Sequence, residues 1–185
     1  MEDYYFPLDT GLVSWDSTIA ENWEVDVATT ASGKRRTLCQ QVMPGWDFSI
    51  TFPALNKAQV DELLRFYATM KGPWKSFWYM DYEYHHVDNA IIGKVDANNY
   101  QCLALIGSYA EPAGKVKDLT LYVDGLVIEN RDLSDGKFFV GVDEGTVVTA
   151  TYDYYFRVCF KDPLQIKQIY KDVYSVNINL SVVRE

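Results

Sequence analysis

The stretch Trp46-Asp47-Phe48-Ser49-Ile50-Thr51-Phe52-Pro53, followed at once by Asn56-Lys57-Ala58-Gln59-Val60-Asp61-Glu62-Leu63-Leu64-Arg65-Phe66-Tyr67, decides how this chain folds. In the first run the large apolar side chains alternate with Asp, Ser and Thr, the two-residue period of a half-buried strand. Pro53 has no N–H to give to a ladder and is expected to end that strand. Asn56 suits an N-cap, and Gln59 three positions on completes a capping-box pair. Val60, Leu63, Leu64 and Tyr67 fall at i, i+3, i+4 and i+7, one apolar stripe on a helix of about 57–71. Gly72 and Pro73 stop it, with the glycine expected at the left-handed position. Phe77, Trp78 and Tyr79 then restart an extended run. A lone amphipathic helix between aromatic strands packs on the sheet those strands form.

Outward from this unit the pattern stays β. Upstream, Trp23, Val25 and Val27 alternate with acidic residues. A turn at Ala31-Ser32-Gly33-Lys34 follows, and Arg35 to Val42 returns as the second arm of a hairpin. Downstream, Tyr82, Tyr84 and His86 alternate with Glu83 and His85, continuing or following the strand at Phe77. From Gly93 to Asp153 the chain reads as short strands and glycine turns. Strands are expected at Tyr100–Ile106, Leu119–Val123, Leu126–Ile128, Phe138–Val140 and Val147–Tyr152. The turns are Asp124-Gly125, Asp135-Gly136 and Glu144-Gly145, the first being a strong two-residue hairpin signal. Tyr155 to Phe160 is a further strand, and Val173 to Val183 a long final one whose apolar and polar residues alternate without fault. The expected class is mainly β: an antiparallel β-sandwich with one flanking helix. A ring-forming domain would comprise 1–92 and 154–185, with a small all-β unit inserted at 93–153.

A chain of 185 residues with 48% apolar residues can bury about 70% of its unfolded surface, so a core needs no staples. Aromatic residues are 15%, with 14 Tyr, which again favours strands. The formal charge of −9 argues against gripping phosphates, because affinity for nucleic acid comes mainly from Lys and Arg releasing counterions. Lys34-Arg35-Arg36 is the one tight basic cluster, and reads as a solvated strand end. Cys39, Cys102 and Cys159 are odd in number, far apart and flanked by strand-like sequence, the pattern of buried free thiols in a reducing compartment. No stretch is long and apolar enough to span a membrane.

Catalytic and metal chemistry find little support. His85 and His86 are adjacent on an expected strand, so they would point to opposite faces and not chelate one ion. There is no Gly-x-Ser-x-Gly elbow, and no glycine-rich phosphate loop. Asp81 and Glu83 would share a strand face, as a charged edge that resists unwanted pairing. No cofactor is expected. The aromatic surplus is more informative. Trp74, Trp78, Tyr79, Tyr82 and Tyr84 crowd into eleven residues. On an alternating strand some must face away from the core, as anchors for a protein interface or stacking faces for a sugar.

The run Gly72-Pro73-Trp74-Lys75-Ser76-Phe77-Trp78-Tyr79, placed after a strand and a helix, resembles phage tail-tip proteins. The lambdoid minor tail protein M has a similar strand, helix and Gly-x-x-Lys-Ser-Phe run. The family that includes the distal tail protein of gene transfer agents resembles the chain at further positions. These are Phe6-Pro7, Thr29-Thr30-Ala31-Ser32-Gly33 with Arg35-Arg36, Phe156-Arg157-Val158-Cys159-Phe160 with Asp162, and Leu180-Ser181-Val182-Val183-Arg184. The resemblance implies a structural virion protein of the tail tip or baseplate, made in the host cytoplasm. It implies a homo-oligomeric ring, a hexamer, that joins the tail tube protein to the hub proteins. DNA would pass through the lumen without specific binding, and no membrane insertion is implied. The alternative is a carbohydrate-binding β-sandwich that contacts a host receptor through the same aromatics.

Overall fold

The computed structural model describes residues 3–14, 16–96, 98–128, 131–132, 136–143 and 145–184, of which 131 and 132 by backbone alone. In chain order the strands are β1 (Thr18–Asn22), β2 (Val25–Thr29), β3 (Arg35–Cys39) and β4 (Gly45–Leu55). The helix α1 (Lys57–Met70) follows, then β5 (Phe77–Tyr79), β6 (His86–Ile91), β7 (Gly93–Lys94), β8 (Asn99–Gln101), β9 (Leu103–Ile106) and β10 (Tyr109–Pro112). Next come β11 (Lys115–Val123), β12 (Leu126–Ile128), β13 (Arg131–Asp132), β14 (Lys137–Phe139), β15 (Val148–Phe160), β16 (Gln165–Tyr170) and β17 (Val173–Val182). The protein is mainly β, with several antiparallel sheets and a single α-helix among the described residues. It divides into two compact units, 1–11 with 77–157 and 12–76 with 158–185. The expected ends of the insert, Gly93 and Asp153, both lie inside the first unit. Asp153 sits within β15, which runs unbroken from Val148 to Phe160.

In the second unit β4 pairs with β1 on one side and β17 on the other. β17 also pairs with β16 and with the last residues of β15. Trp46, Phe48, Ile50 and Phe52 are buried as their alternation requires. Pro53 does not end β4, which continues to Leu55. Val176 faces Phe52 and Tyr174 faces Leu55, so Pro53 and Ala54 together oppose Ser175. This is a β-bulge, and a bulge is where a strand tolerates a residue that cannot donate to the ladder.

The helix begins as its sequence dictates. The Asn56 side chain accepts from the Gln59 amide at 2.9 Å, and Gln59 Oε1 accepts from the Asn56 amide at 3.0 Å. It ends one residue earlier than the glycine would suggest. Lys71 is already left-handed at φ 56°, and Gly72 follows at φ 64°. The buried face is Val60, Leu63 and Met70, with Phe66 and Tyr67 half-buried. Leu64 was expected on that face and is 43% exposed. At about 100° per residue, Met70 falls close to Leu63 in projection, whereas Leu64 stands a quarter-turn or more away. The longer i, i+3, i+7, i+10 series therefore sets the face. Phe160 meets it, with its ring centroid 4.9 Å from Tyr67 and 6.1 Å from Phe66.

The hairpin β2–β3 pairs as its sequence predicts, although β3 closes at Cys39 rather than Val42. All ten of its strand residues are exposed. Cys39 is therefore exposed, against expectation; Cys102 is buried and Cys159 half-buried, and all three are free thiols.

In the first unit β15 is central, with β11 along one side and β6 along the other; β5 also pairs with β15, and β12 pairs with β11. The β11–β12 turn is Asp124-Gly125, both at positive φ (49° and 82°), the hairpin geometry that its sequence predicts. Five strands went unread in the sequence: β7, β10 and β13 here, and β1 and β16 in the second unit. The expected strand Tyr100–Ile106 is two, β8 and β9, parted at Cys102. There the backbone turns its bonds to Gly136 and Ala113, at 2.9 and 2.8 Å. Asp135 and Glu144, the first residues of two expected turns, lie outside the described residues. The core is knit by tyrosines of β15. The Tyr152 hydroxyl donates to the Leu103 carbonyl and accepts from the Leu103 amide, both at 2.8 Å, and the Tyr154 hydroxyl donates to the Leu105 carbonyl at 2.7 Å.

Candidate functional site

The aromatic run from Trp74 to Tyr84 was expected to spread over the two faces of one strand. It does not, because only Phe77–Tyr79 is extended, and those three residues are all buried. The chain then bends at Asp81. Its carboxylate accepts the amides of Glu83 and Tyr84 at 3.0 and 2.9 Å, a side-chain-closed turn that competes with strand formation. Asp81 and Glu83 therefore do not share a strand face.

Two of the candidate anchors are core residues of the first unit. Trp78 is 8% exposed. Its indole N–H donates to Asp3 Oδ1 at 3.1 Å, and the Arg157 guanidinium and Lys115 ammonium lie 5.0 and 5.7 Å from its ring. Both cations are within cation–π range. Lys115 also pairs with Asp3. That hydrogen bond, together with the one from Trp78, holds the Asp3 carboxyl below its ordinary range. Tyr79 is buried, and its hydroxyl donates to Asp81 Oδ1 at 3.0 Å. Burial first, and the Asp81 charge second, push its phenol far above the ordinary value, so it remains a neutral donor.

The others are more exposed. Tyr82 is 57% exposed and stands between Asp81 and Glu83, while Tyr84 is half-buried. In the second unit, Trp74 is 69% exposed on the turn after α1. Its ring is covered at 4.5 Å by the Lys71 ammonium, with Lys75 at 6.0 Å. An exposed indole flanked by two lysines presents apolar surface and positive charge together.

The histidines are not equivalent. His86 Nδ1 is 2.7 Å from Asp153 Oδ1, on the neighbouring strand. That arrangement supplies a base and its orienting carboxylate, but no hydroxyl or thiol partners the His86 ring among the described residues. His85 Nδ1 is buried without a hydrogen-bond partner. Among the described residues no group of three or more His, Cys, Asp or Glu side chains could hold a metal ion. No helix among the described residues is long and apolar enough to cross a membrane.

Sequence reasoning missed an open groove of about 710 Å³ in the second unit. Trp23, Met43, Asp47, Lys161 and Arg184 are among its lining residues. They come from well-separated segments, so no local spacing could have announced it. Lys161 donates to Asp47 at 2.7 Å there. Burial alone would raise the Asp47 pKa, but the hydrogen bonds from Lys161, Ser181 and Asn22 outweigh it and hold the carboxyl below its ordinary value. No protein-family model matches the chain, and no curated protein matches it in sequence.

Proposed function

We propose that this chain is a structural subunit of a phage-like tail tip, assembled as a closed ring that joins the tail tube to the central hub. The observation that carries the reading is the open-edged sheet of the second unit. Its outer strands β1 and β16 each pair on one side only among the described residues. An unpaired edge is a template for strand addition by a neighbouring chain, and unused edges are usually blunted or covered. Exposed Trp74 and Tyr82 add apolar anchors of the kind that dominate interface energetics. The order of the tail-tip motifs along the chain supports the same assignment. Contacts between unlike surfaces of identical chains close only into rings or run on as filaments, and the resembled family favours a hexamer. On this reading the chain catalyses nothing and needs no cofactor. Its partners are copies of itself, the tube protein and the hub. The net charge of −9 multiplies in a ring, so a negative lumen would let DNA pass without sticking.

The test is the assembly state. Purified protein examined by light scattering, and tails examined by cryo-microscopy, should show a closed ring at the distal end of the tube. A monomer inside assembled particles overturns the reading. Binding of a glycan by a stable monomer would favour the receptor-contacting alternative.

A further inference from the structure

The hairpin β2–β3 has no cover among the described residues. Residues that face one another in an antiparallel pair share a face. The register pairs Val25 with Cys39, Val27 with Thr37 and Thr29 with Arg35 on one face, and Asp26 with Leu38 and Ala28 with Arg36 on the other. Val25, Val27 and Leu38 are exposed on these two faces. A two-stranded ribbon without a third strand or a packing partner is at best marginally stable in water. Yet the tip is built. The Thr30 amide donates to the Lys34 carbonyl, the Lys34 amide to the Thr30 hydroxyl, and Gly33 turns at φ 79°. The ribbon is thus shaped in advance while both its faces stay exposed.

Its charge says what. Lys34, Arg35 and Arg36 stand against Asp26 alone, and none of the three is in an ion pair among the described residues. The remainder of the chain is therefore more acidic than the net −9 of the whole. The first unit offers a matching surface along β6. No strand pairs with the outer side of β6 among the described residues, since its ladder goes to β15 alone. Asp88 and Ile91 are exposed on β6 itself, Asp88 accepting from the Thr151 hydroxyl at 3.1 Å, and Tyr82 and Glu83 are exposed just ahead of it. An acidic, partly apolar open edge complements a basic, partly apolar ribbon in charge, in surface character and in its free backbone groups.

We infer that the β2–β3 hairpin of one copy docks along the β6 edge of a second copy. Arg35 and Arg36 would meet Glu83 and Asp88, while the apolar ribbon side chains cover Tyr82 and Ile91. The inference rests on the ring reading and names the contact that closes the ring. It joins different patches on the two copies, as a head-to-tail ring requires.

Charge reversal tests it, read by sedimentation velocity with the full chain. The paired substitution Arg35→Glu with Arg36→Glu should weaken self-association at least tenfold, and so should Glu83→Arg with Asp88→Arg. All four together should restore it. Circular dichroism and the melting temperature confirm that each variant is folded, because every altered side chain is exposed. Hydrogen exchange should show the amides of Val25–Thr29 protected in the assembly and open in the reversed variants. Rings that form equally well with Arg35 and Arg36 reversed would overturn this contact and leave the ring reading standing. A fourfold variant no better than either pair would overturn it too. A parent protein that stays monomeric at every concentration would overturn the ring reading, and with it a second copy as the occupant.

Discussion

The Tyr67 ring meets Phe160 edge-on, with centroids 4.9 Å apart and planes inclined at 67°. The contact ties the helix to the terminal residues of β15 in the second unit. It also fixes which side of α1 is inside, because Tyr67 lies on the same face as Leu63 and Met70, both fully buried.

The helix face gives the first prediction. Leu63→Ala should destabilise the protein by about 2–5 kcal/mol, the usual cost of truncating a buried leucine. Leu64→Ala, at a position 43% exposed, should cost under about 1 kcal/mol, since only part of the side chain leaves water on folding. Urea unfolding of the two single variants checks the difference. Equal losses would mean that both leucines are covered.

Gly136 gives the second. It sits at φ +68°, and a Cβ there would lie 2.3 Å from the Ala113 carbonyl oxygen. That carbonyl also accepts from the buried Gln101 side chain at 3.0 Å. Neither backbone nor amide can move without breaking a bond. Gly136→Ala should therefore lower stability by about 2 kcal/mol or more, through steric clash and left-handed strain together. By contrast, Gly33 has nothing within 4 Å of its added Cβ, so Gly33→Ala should cost only about 1 kcal/mol, from its positive φ alone. Thermal melts of the two variants separate these cases.

Acid sensitivity gives the third. Hydrogen bonds from Lys161, Ser181 and Asn22 overcome burial to place the folded Asp47 carboxyl below its ordinary value of 3.8. A depressed carboxylate contributes stability that is complete above the unfolded value and is lost as pH falls through the folded one. Asp47→Asn should therefore flatten the loss of stability below about pH 4. Its effect should shrink in high salt, as the Lys161 partner is half-exposed. Lys161, whose folded value is raised by Asp47, should contribute in the opposite sense, losing its share as pH rises past the ordinary 10.5. Urea midpoints measured from pH 7 down to pH 2 and up to pH 11 test both limbs.

Where residues alternate over a long run, the chain was legible. The faces of β4 and β17, the capping box and the Asp124-Gly125 hairpin all follow from local rules, because backbone geometry and burial point the same way there. What was not legible depends on partners distant in sequence. Pro53 stays in its strand because β17 supplies a single residue opposite two. Cys102 breaks a strand because Gly136 and Ala113 compete for its backbone. The candidate anchors divide for a local reason. Asp81 sits where its carboxylate can close a turn, and a turn there removes the alternation that would set the facing of Tyr82 and Tyr84. The groove near Trp23 and the unpaired edge of β6 exist only once strands are assembled, so no spacing in the sequence encodes them.

The division among the aromatics gives the last prediction. Trp78 and Tyr79 are core residues, so Trp78→Ala or Tyr79→Ala should cost about 3–5 kcal/mol, as loss of a large buried ring does. Tyr79→Phe is the finer probe. It keeps the ring and removes the 3.0 Å bond to Asp81, whose other oxygen holds the turn at Glu83 and Tyr84. Its cost should be about 1 kcal/mol. Trp74 and Tyr82 are mostly exposed, so Trp74→Ala and Tyr82→Ala should leave the melting temperature almost unchanged. If they anchor an interface, each should weaken self-association by about tenfold or more, which corresponds to roughly 1.4 kcal/mol. Paired measurements of melting temperature and sedimentation on the same four alanine variants should therefore separate into two groups, one losing stability and the other losing assembly. If Trp74→Ala and Tyr82→Ala change neither quantity, the exposed rings are ordinary surface residues and the interface lies elsewhere.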